Sequence, residues 1–488
     1  MRVNLLYKNS CFKMKELDEF DKNLISDLEL EELINKASGG DIHTKKVFIN
    51  VLIQMLTKEE DITYRQDIYK DLLKNKDLIL DLKEYLNDMI IEFKSKFPYE
   101  INDKGPFSVV SSVTTIIQFL VPKLYTIRKY INSLKDVESD GLKLFIEDNL
   151  KELTNVNLDL LLGLSVSLDV RKGIMVNANL NDCLEIDNYV LNESTYLEKK
   201  DKKRWKKALK IEYGYLSETI FNEIVKKSDI CSKSISKDYG LACYHLIRFM
   251  YDLDLELTFY AAAMNLENYL KYLNLEITLP IAKNEYNYEN LYDLAVGIKK
   301  HGDVISNSHK SNSKMWVITG ANQGGKTTYL RSLGQAHLLF QSGLFVPAKY
   351  MELPIVDGIF THFDKEEDSN LESGKFDDEL RRFDIMISKL KPNSLVILNE
   401  SFQSTDVHEG SKIGFEIIKA LRDSDIRIVL VTHMYDLAML LKNEYKDSYF
   451  LRAERKDDGT RSYMLKEADV LKTSFAKDLY NKIFKIEE

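Results

Sequence analysis

The sequence contains no apolar run that approaches the roughly 18 consecutive apolar residues of a membrane-spanning helix. Its longest candidate, Leu158–Leu168, is too short and includes Asp159. The first ten residues, MRVNLLYKNS, also lack the apolar core of a signal peptide. We therefore expect a cytoplasmic protein with no membrane partner.

Cysteine is scarce, and its spacing argues against two kinds of site. The four cysteines, at positions 11, 183, 231 and 243, form no CxxC pair. The sequence therefore indicates neither a zinc site nor a disulfide framework, which agrees with a reducing cytosol.

An excess of basic charge is absent as well. The 68 Lys and Arg residues and 77 Asp and Glu residues give a formal net charge of −9. This balance excludes a globally basic nucleic-acid coat, although nucleic-acid binding needs only a local basic face.

Proline is rare, and none lies between Pro122 and Pro280. Since proline interrupts helix interiors, a proline-free stretch of this length indicates a mostly helical region. Leu30, Leu33 and Ile34 recur at helical spacing in agreement with this interpretation. We predict a mainly α region over residues 1–275. Within it, the alternating pattern and turn residues of 163–191 predict a small strand insert.

The character of the sequence changes after Pro280. Three short apolar runs, Met315–Thr319, Ser394–Asn399 and Ile426–Thr432, have the composition of buried strands, and helical patterns lie between them. Such alternation is typical of a parallel sheet covered by helices on both faces. An Asp-Asp-Gly turn at 457–459 then predicts a hairpin. We predict an α/β domain over residues 276–488.

A glycine-rich segment follows the first of these strands and matches the GxxxxGK[ST] pattern in full. Glycines let backbone N–H groups approach phosphate oxygens, and the following helix presents its positive end to an anion. In this pattern the lysine reaches the β- and γ-phosphates, and the next hydroxyl binds Mg²⁺. The sequence therefore predicts an ATP and Mg²⁺ site formed by Gly320, Ala321, Asn322, Gln323, Gly324, Gly325, Lys326, Thr327 and Thr328.

Polar residues also follow the other two predicted strands. Asn399 stands where such strands usually end in an aspartate that supports Mg²⁺, and we assign it to the metal site with Thr327. Glu400 can orient or deprotonate the attacking water, or it is an ordinary acid at a strand end. His433 lies after the third strand, where ligands of such sheets bind, so we assign it to catalysis; the alternative is a structural histidine.

These residues resemble the MutS family of DNA mismatch-repair ATPases. The string ITGANQGGKTTYLRSLGQAHLLFQSGLFVPA (318–348) is similar to that family's ITGPNMGGKST and its continuation, and LVILNES and VLVTHMYDL stand where LVLLDEI and LFATHYFEL would. The resemblance covers about residues 300–440. It implies an ABC-type P-loop fold and a homodimer with composite ATP sites at its interface. A weaker similarity over Leu56–Asn75 resembles the start of the family's core domain and implies a core and lever region.

The sequence departs from the family pattern in three places. Asn399 replaces the expected aspartate. In the family's serine signature, whose serine contacts the opposite subunit's nucleotide, Gly374 stands here at the serine position. We assign nucleotide contact to the adjacent Ser373. The family's N-terminal mismatch-reading domain has no counterpart, so we expect DNA binding that is indifferent to mismatches.

One local basic run stands out in the acidic chain. Lys199–Lys210 carries eight positive residues and one Asp, which is a local charge of 8 − 1 = +7. It is either a solvated helix face or a surface that follows DNA phosphates. For the second case we assign DNA contacts to Lys202, Lys203, Lys206 and Lys207.

The resemblance and the residues together predict a MutS-like ATPase in which ATP binding and hydrolysis in composite dimer sites control engagement of DNA. Mismatched or structured DNA, in repair or recombination, is among the candidate partners. The alternative is a nucleotide-binding scaffold or regulator with weak or no ATPase activity and no DNA partner. Asn399 favours the alternative, whereas the basic run at 199–210 favours the first hypothesis.

Overall fold

The computed structural model of the chain describes residues 1–97, 106–167, 176–180, 186–191, 218–320, 324–364, 375–455 and 461–471. The chain divides into two compact units. The first unit comprises Met1–Asn4, Asp77–Val137 and Leu142–Leu255. The second unit comprises Leu5–Lys76, Glu138–Gly141 and Glu256–Glu488.

Helices dominate the first half of the described chain, and strands alternate with helices in the second half. The described helices are α1 (Glu19–Asp27), α2 (Leu30–Ser38), α3 (Ile42–Ile53), α4 (Glu59–Lys74), α5 (Lys76–Lys96), α6 (Pro106–Asn132), α7 (Asp140–Glu152), α8 (Asn155–Ser167), α9 (Glu218–Tyr272), α10 (Leu294–Lys299), α11 (Lys326–Gln341), α12 (Lys375–Ile387), α13 (Val407–Asp423) and α14 (Tyr435–Glu444). The described strands are β1 (Val176–Leu180), β2 (Ile186–Leu191), β3 (Ile281–Ala282), β4 (Tyr286–Leu291), β5 (Asn307–Ser311), β6 (Met315–Thr319), β7 (Tyr350–Leu353), β8 (Ile359–Phe363), β9 (Leu395–Asn399), β10 (Arg427–Val431), β11 (Tyr449–Arg455) and β12 (Arg461–Glu467).

The first unit is built mainly from α5, α6, α7, α8 and the first part of α9. Apolar residues at helical spacing line its interior, including Leu82, Leu86, Ile117, Leu120 and Leu124. Within this unit α6 continues through Pro122. Pro122 is exposed.

The predicted insert at 163–191 begins later than the sequence pattern suggests. Residues 163–167 form the end of α8, which corrects that part of the prediction. A run this short fits both helix and strand periodicity, and the Ser165 hydroxyl donates to the Leu162 carbonyl at 2.7 Å inside the helix. Farther along, β1 and β2 pair antiparallel, with Val176 opposite Leu191.

The second unit contains two sheets. The larger has the order β12-β11-β6-β10-β9-β8, in which only the β11–β12 pair is antiparallel among its described strands. The smaller has the order β3-β7-β4-β5. The predicted strands 315–319, 394–399 and 426–432 correspond to β6, β9 and β10, and the predicted hairpin is β11–β12. The expected fold class, a helical region followed by an α/β domain, is confirmed at this level.

The central strands of the larger sheet are buried because their sequences are apolar on both faces. Every residue of β6 and β10 is buried. The helices α12, α13 and α14 contribute Phe383, Ile418 and Leu437 to the same apolar core. This packing holds β6, β9 and β10 in place, and the ends of these three strands form the site described below.

The two compact units do not coincide with the predicted division between residues 275 and 276. Residues 5–76 group with 256–488, although most of the first unit lies between these two segments in the sequence. The predicted domains, residues 1–275 and 276–488, remain a prediction. In the part of the chain that the structure describes, no helix is long and apolar enough to cross a membrane.

Candidate functional site

Three strand ends of the larger sheet lie next to one another. Val431 of β10 is in register with Ile318 of β6 on one side and with Asn399 of β9 on the other. Backbone bonds continue this alignment beyond the strands, since the Thr432 N–H donates to the Ile318 carbonyl at 3.0 Å and the Glu400 N–H to the Val431 carbonyl at 2.9 Å. The polar residues that the sequence places after each strand therefore meet at one edge.

Two glycines of the glycine-rich segment have backbone conformations that favour glycine. Gly320 has φ +116° and Gly325 has φ +87°, values that favour glycine. A Cβ atom on Gly320 would lie 3.0 Å from the Ala453 nitrogen, and one on Gly325 would lie 3.0 Å from the Tyr463 carbonyl oxygen. Residues 321–323, which include the predicted site residues Ala321, Asn322 and Gln323, lie outside the described residues.

Lys326 is held at the first turn of α11 with its ammonium inside the site. Its side chain is 4% exposed, and its Nζ atom donates to the Gly320 carbonyl at 2.9 Å. The same atom lies 3.8 Å from Glu400 Oε1. Burial lowers the pKa of Lys326, and the Glu400 carboxylate opposes that shift. The ammonium thus lies at the N-terminal end of a 16-residue helix, where anions are stabilised.

Two neutral oxygens lie side by side next to this lysine. The Thr327 hydroxyl donates to Asn399 Oδ1 at 3.1 Å, which joins the start of α11 to the end of β9. Hydroxyl and amide oxygens are ligands that Mg²⁺ accepts. Thr328 follows in α11 and is partly buried. Among the described residues, no group of three or more His, Cys, Asp and Glu could hold a metal.

Glu400 stands at the centre of the site in an unusual backbone conformation. Its φ is +56°, in the left-handed region that non-glycine residues seldom adopt. Its Oε1 atom lies 3.8 Å from His433 Nδ1 as well as 3.8 Å from Lys326 Nζ. His433 is the largest cause that lowers the pKa of the Glu400 carboxyl; Lys326 lowers it further, while burial acts in the opposite direction. The carboxylate is therefore ionised at neutral pH and can act as a base.

His433 is the more accessible member of this group. Its side chain is 48% exposed, so a ligand can reach it from solvent. It lies two residues after the end of β10, and the intervening Thr432 hydroxyl accepts the Met434 N–H at 3.0 Å, which shapes the turn. The sequence-predicted Lys326, Thr327, Asn399, Glu400 and His433 are thus brought together by the sheet.

The residues of the other predicted contacts lie outside the part of the chain that the structure describes. Ser373 and Gly374 lie outside the described residues, and α12 begins at the next position, Lys375. The predicted DNA-contacting lysines at 202, 203, 206 and 207 are likewise outside them. These assignments remain predictions.

The structure also reveals neighbours of Glu400 to which the sequence analysis gave no role. Glu379 of α12 accepts the Phe402 N–H at 2.5 Å, and His362 of β8 bonds Ser401 through Nδ1 at 2.8 Å. The signal available in sequence was a helix with an acid on its apolar side, because Glu379 lies one turn before Phe383 of the core.

Comparison with known proteins identifies relatives over most of the chain. The family model described as MutS domain V matches residues 316–476, and the model described as MutS2 N-terminal domain matches residues 57–273. The DNA mismatch repair protein MutS of Clostridium kluyveri is 26% identical over 462 residues, which are 90% of this chain and 48% of that protein.

Two further relatives match shorter stretches at higher identity. The DNA mismatch repair protein MutS of Aquifex pyrophilus is 32% identical over 166 residues, 33% of this chain and 19% of that protein. The Endonuclease MutS2 of Alkaliphilus metalliredigens is 36% identical over 122 residues, 25% of this chain and 16% of that protein. The chain spans about half the length of the Clostridium relative that it matches almost throughout.

Proposed function

Since the chain belongs to the MutS family, we propose that it is an ABC-type P-loop ATPase whose nucleotide state controls its engagement of DNA. One observation supports this most strongly. The Lys326 ammonium, the Thr327–Asn399 oxygen pair and the Glu400 carboxylate lie together at one sheet edge, next to a glycine-rich turn.

Each side chain has a chemical role in this proposal. Lys326 leaves the Gly320 carbonyl and binds the β- and γ-phosphates. Thr327 and Asn399 hold Mg²⁺, which neutralises charge on the phosphates. Glu400 accepts a proton from the attacking water, and its lowered pKa keeps it deprotonated at neutral pH. His433, exposed beside Glu400, contacts the transferred phosphate.

We further propose that two copies of the chain form composite sites, with Ser373 of one copy contacting the nucleotide of the other. DNA contact is assigned to the basic run at 199–210, which includes Lys202, Lys203, Lys206 and Lys207. Support for a DNA partner is the family membership and the local +7 charge in a chain of net −9.

The test measures affinity for matched duplex, mismatched duplex and branched DNA, with and without ATP, for wild type and Lys326→Ala. The proposal expects DNA affinity to change on ATP addition in the wild type and not in the variant. It also expects DNA affinity to fall steeply with salt: the logarithm of the binding constant plotted against the logarithm of salt concentration should have a slope of about −0.9 for each phosphate contact. No DNA binding under any nucleotide condition would contradict it.

Charge reversal of Lys202, Lys203, Lys206 and Lys207 to Glu tests the assigned DNA surface. We expect weaker binding to every DNA and a shallower salt slope. The matched control reverses the same number of exposed lysines elsewhere, at positions 8, 300, 412 and 446. Equal loss in both variants would show a general effect of net charge and would remove the assignment.

The second candidate function is a nucleotide-binding regulator with weak or no hydrolysis and no DNA partner. The neutral Asn399 favours it, because a carboxylate at that position would attract Mg²⁺ more strongly. Tight ATP binding together with no turnover and no DNA affinity would select this function over the first.

A further inference from the structure

The turn that follows β9 carries two strained residues. Glu400 has φ +56° and Phe402 has φ +70°. Neither is a glycine, so this backbone persists only where surrounding contacts hold it. Because Glu400 is the residue proposed to activate water, the contacts that hold this turn also set the direction of its carboxylate.

Each residue of the turn is held by a different element. The Glu400 N–H donates to the Val431 carbonyl of β10 at 2.9 Å. The Ser401 hydroxyl contacts His362 of β8, both at Nδ1 (2.8 Å) and at the carbonyl oxygen (3.1 Å). The Phe402 N–H donates to Glu379 Oε1 of α12 at 2.5 Å. The first contact is main-chain pairing, whereas the other two depend on side chains.

Glu379 is an unusual residue to find at this position. It is 2% exposed, and its Oε2 atom has no hydrogen-bond partner within the described part of the chain. A buried carboxylate with a half-satisfied hydrogen-bonding capacity is unfavourable for stability, so its presence calls for a role. Its other oxygen bonds a main-chain N–H two residues beyond Glu400.

The ring of Phe402 strengthens the link to α12. Phe402 is fully buried, and its ring centroid lies 5.3 Å from that of Phe383, one turn after Glu379 in α12. Two contacts, one polar and one apolar, therefore join α12 to the turn. A shift of α12 would be transmitted to Glu400 through both.

We propose that Glu379 is a positioning residue for Glu400: its carboxylate fixes the turn at Phe402 and so holds the Glu400 carboxylate between Lys326 and His433. This inference rests on the proposed ATP hydrolysis at the same site. It assigns no contact with nucleotide to Glu379 itself.

The test separates the rate of hydrolysis from nucleotide affinity. We expect Glu379→Ala to lower kcat about 10- to 100-fold, since small misplacements of a catalytic group cost this much, while the calorimetric Kd for ATP changes less than about threefold. Glu379→Gln keeps the accepting oxygen, so we expect it to retain kcat within about threefold of wild type. Asp377→Ala, which removes an exposed acid paired with Arg381 on the same helix, is the control and should leave kcat unchanged.

A double variant shows whether Glu379 acts through Glu400. In a Glu400→Gln background, Glu379→Ala should lower kcat no further, because the group that it positions is already lost. The inference would be overturned if kcat of the double variant fell by the product of the two single-variant losses, or if Glu379→Ala had the kcat of wild type. If the alanine variant does not fold, Glu379→Asp decides: its shorter side chain must lower kcat without weakening ATP binding.

The outcomes also separate this inference from the proposed function. If wild type neither binds nor hydrolyses ATP, the proposed function fails and the inference fails with it. If wild type hydrolyses ATP while Glu379→Ala and Glu379→Asp both match it, only the inference fails.

Discussion

The Thr327 hydroxyl donates a 3.1 Å hydrogen bond to Asn399 Oδ1, and so links the helix after the glycine-rich loop to the end of β9. Since the amide oxygen only accepts, the proton of Thr327 points towards Asn399 and its lone pairs remain available. The two residues that the sequence analysis assigned to a metal site are therefore neighbours.

Asn399→Asp should increase the affinity of the site for Mg²⁺. The substitution adds a negative charge beside Thr327, and one such charge close to a divalent ion is worth more than about 1.4 kcal/mol at protein dielectric values. We expect the Mg²⁺ concentration for half-maximal ATPase activity to fall about tenfold or more. The control is Asn443→Asp, which adds the same charge on the exposed face of α14. An unchanged Mg²⁺ dependence in Asn399→Asp would show that this residue does not face the ion.

His433→Ala should raise the pKa of Glu400, because His433 is the largest cause that lowers it. A base is active when deprotonated, so the kcat of wild type should fall on the acid side of its pH profile only below the usual carboxyl pKa of 4.5. In the variant that fall should move to higher pH. The measurement is kcat as a function of pH, with the exposed His408→Ala as control.

The same shift has a consequence for stability. A carboxyl whose folded pKa is lowered contributes stability above its unfolded pKa, and this contribution is lost as pH falls through the folded pKa. The ionised Glu400 carboxylate therefore stabilises the fold at neutral pH.

For the kcat measurement, a fall in kcat at the same acidic pH in wild type and His433→Ala would contradict the assigned contact between His433 and Glu400.

The strands that form the site could be predicted because their sequences are locally distinctive. Met315–Ile318 is apolar throughout, and Gly320 follows the strand, so β6 can be predicted from the sequence alone. The proximity of Glu400 and His433 also follows, since parallel strands end at a common edge. The smaller sheet could not be predicted in this way: β4 reads YNYENL, and its burial comes from partners distant in sequence.

Arg65 is the clearest case of a residue whose role is set by distant contacts. It is fully buried in α4, and its guanidinium donates to the Leu6 carbonyl (3.2 and 2.8 Å) and to the Ser342 carbonyl (3.1 Å). Ser342 is the C-cap of α11, so the cation lies at the negative end of the helix whose other end carries Lys326. No local pattern in sequence indicates partners 59 and 277 residues away.

Arg65→Met should destabilise the second unit by about 3 kcal/mol or more, since each buried carbonyl left without a donor costs roughly 1–3 kcal/mol. The measurement is the free energy of unfolding from denaturant titration. Arg381→Met is the control, because that side chain is 70% exposed and its surface ion pair contributes at most about 1 kcal/mol. Equal stability of the two variants would show that the Arg65 contacts contribute little.

His337→Gln should flatten the dependence of stability on pH. Burial lowers the pKa of His337 to about 3, from 6.5, and its Nε2 atom lies 3.1 Å from the Tyr286 hydroxyl. Below pH 6.5 the unfolded chain takes up a proton that the folded chain does not, so stability falls until the pH is below about 3. Between pH 7 and 5 wild type should lose about 2 kcal/mol through this group.

The measurement for His337 is the free energy of unfolding at pH 7 and pH 5 in both proteins. The glutamine variant should lose less stability than wild type on acidification, whatever its stability at pH 7. His43→Gln, at an exposed position of α3, is the control. Parallel losses in wild type and His337→Gln would mean that His337 is not held neutral.

ATP binding to Lys326 is the central claim, and calorimetry of ATP with wild type, Lys326→Ala and Lys314→Ala tests it most directly. Lys314 lies immediately before β6, at the end of the strand away from the glycine-rich segment, and pairs with Asp425. Its removal therefore controls for the loss of one positive charge. We expect wild type and Lys314→Ala to bind ATP with equal affinity, and Lys326→Ala to lose tight binding while keeping its thermal unfolding temperature. Unchanged ATP affinity in a folded Lys326→Ala protein would contradict the account.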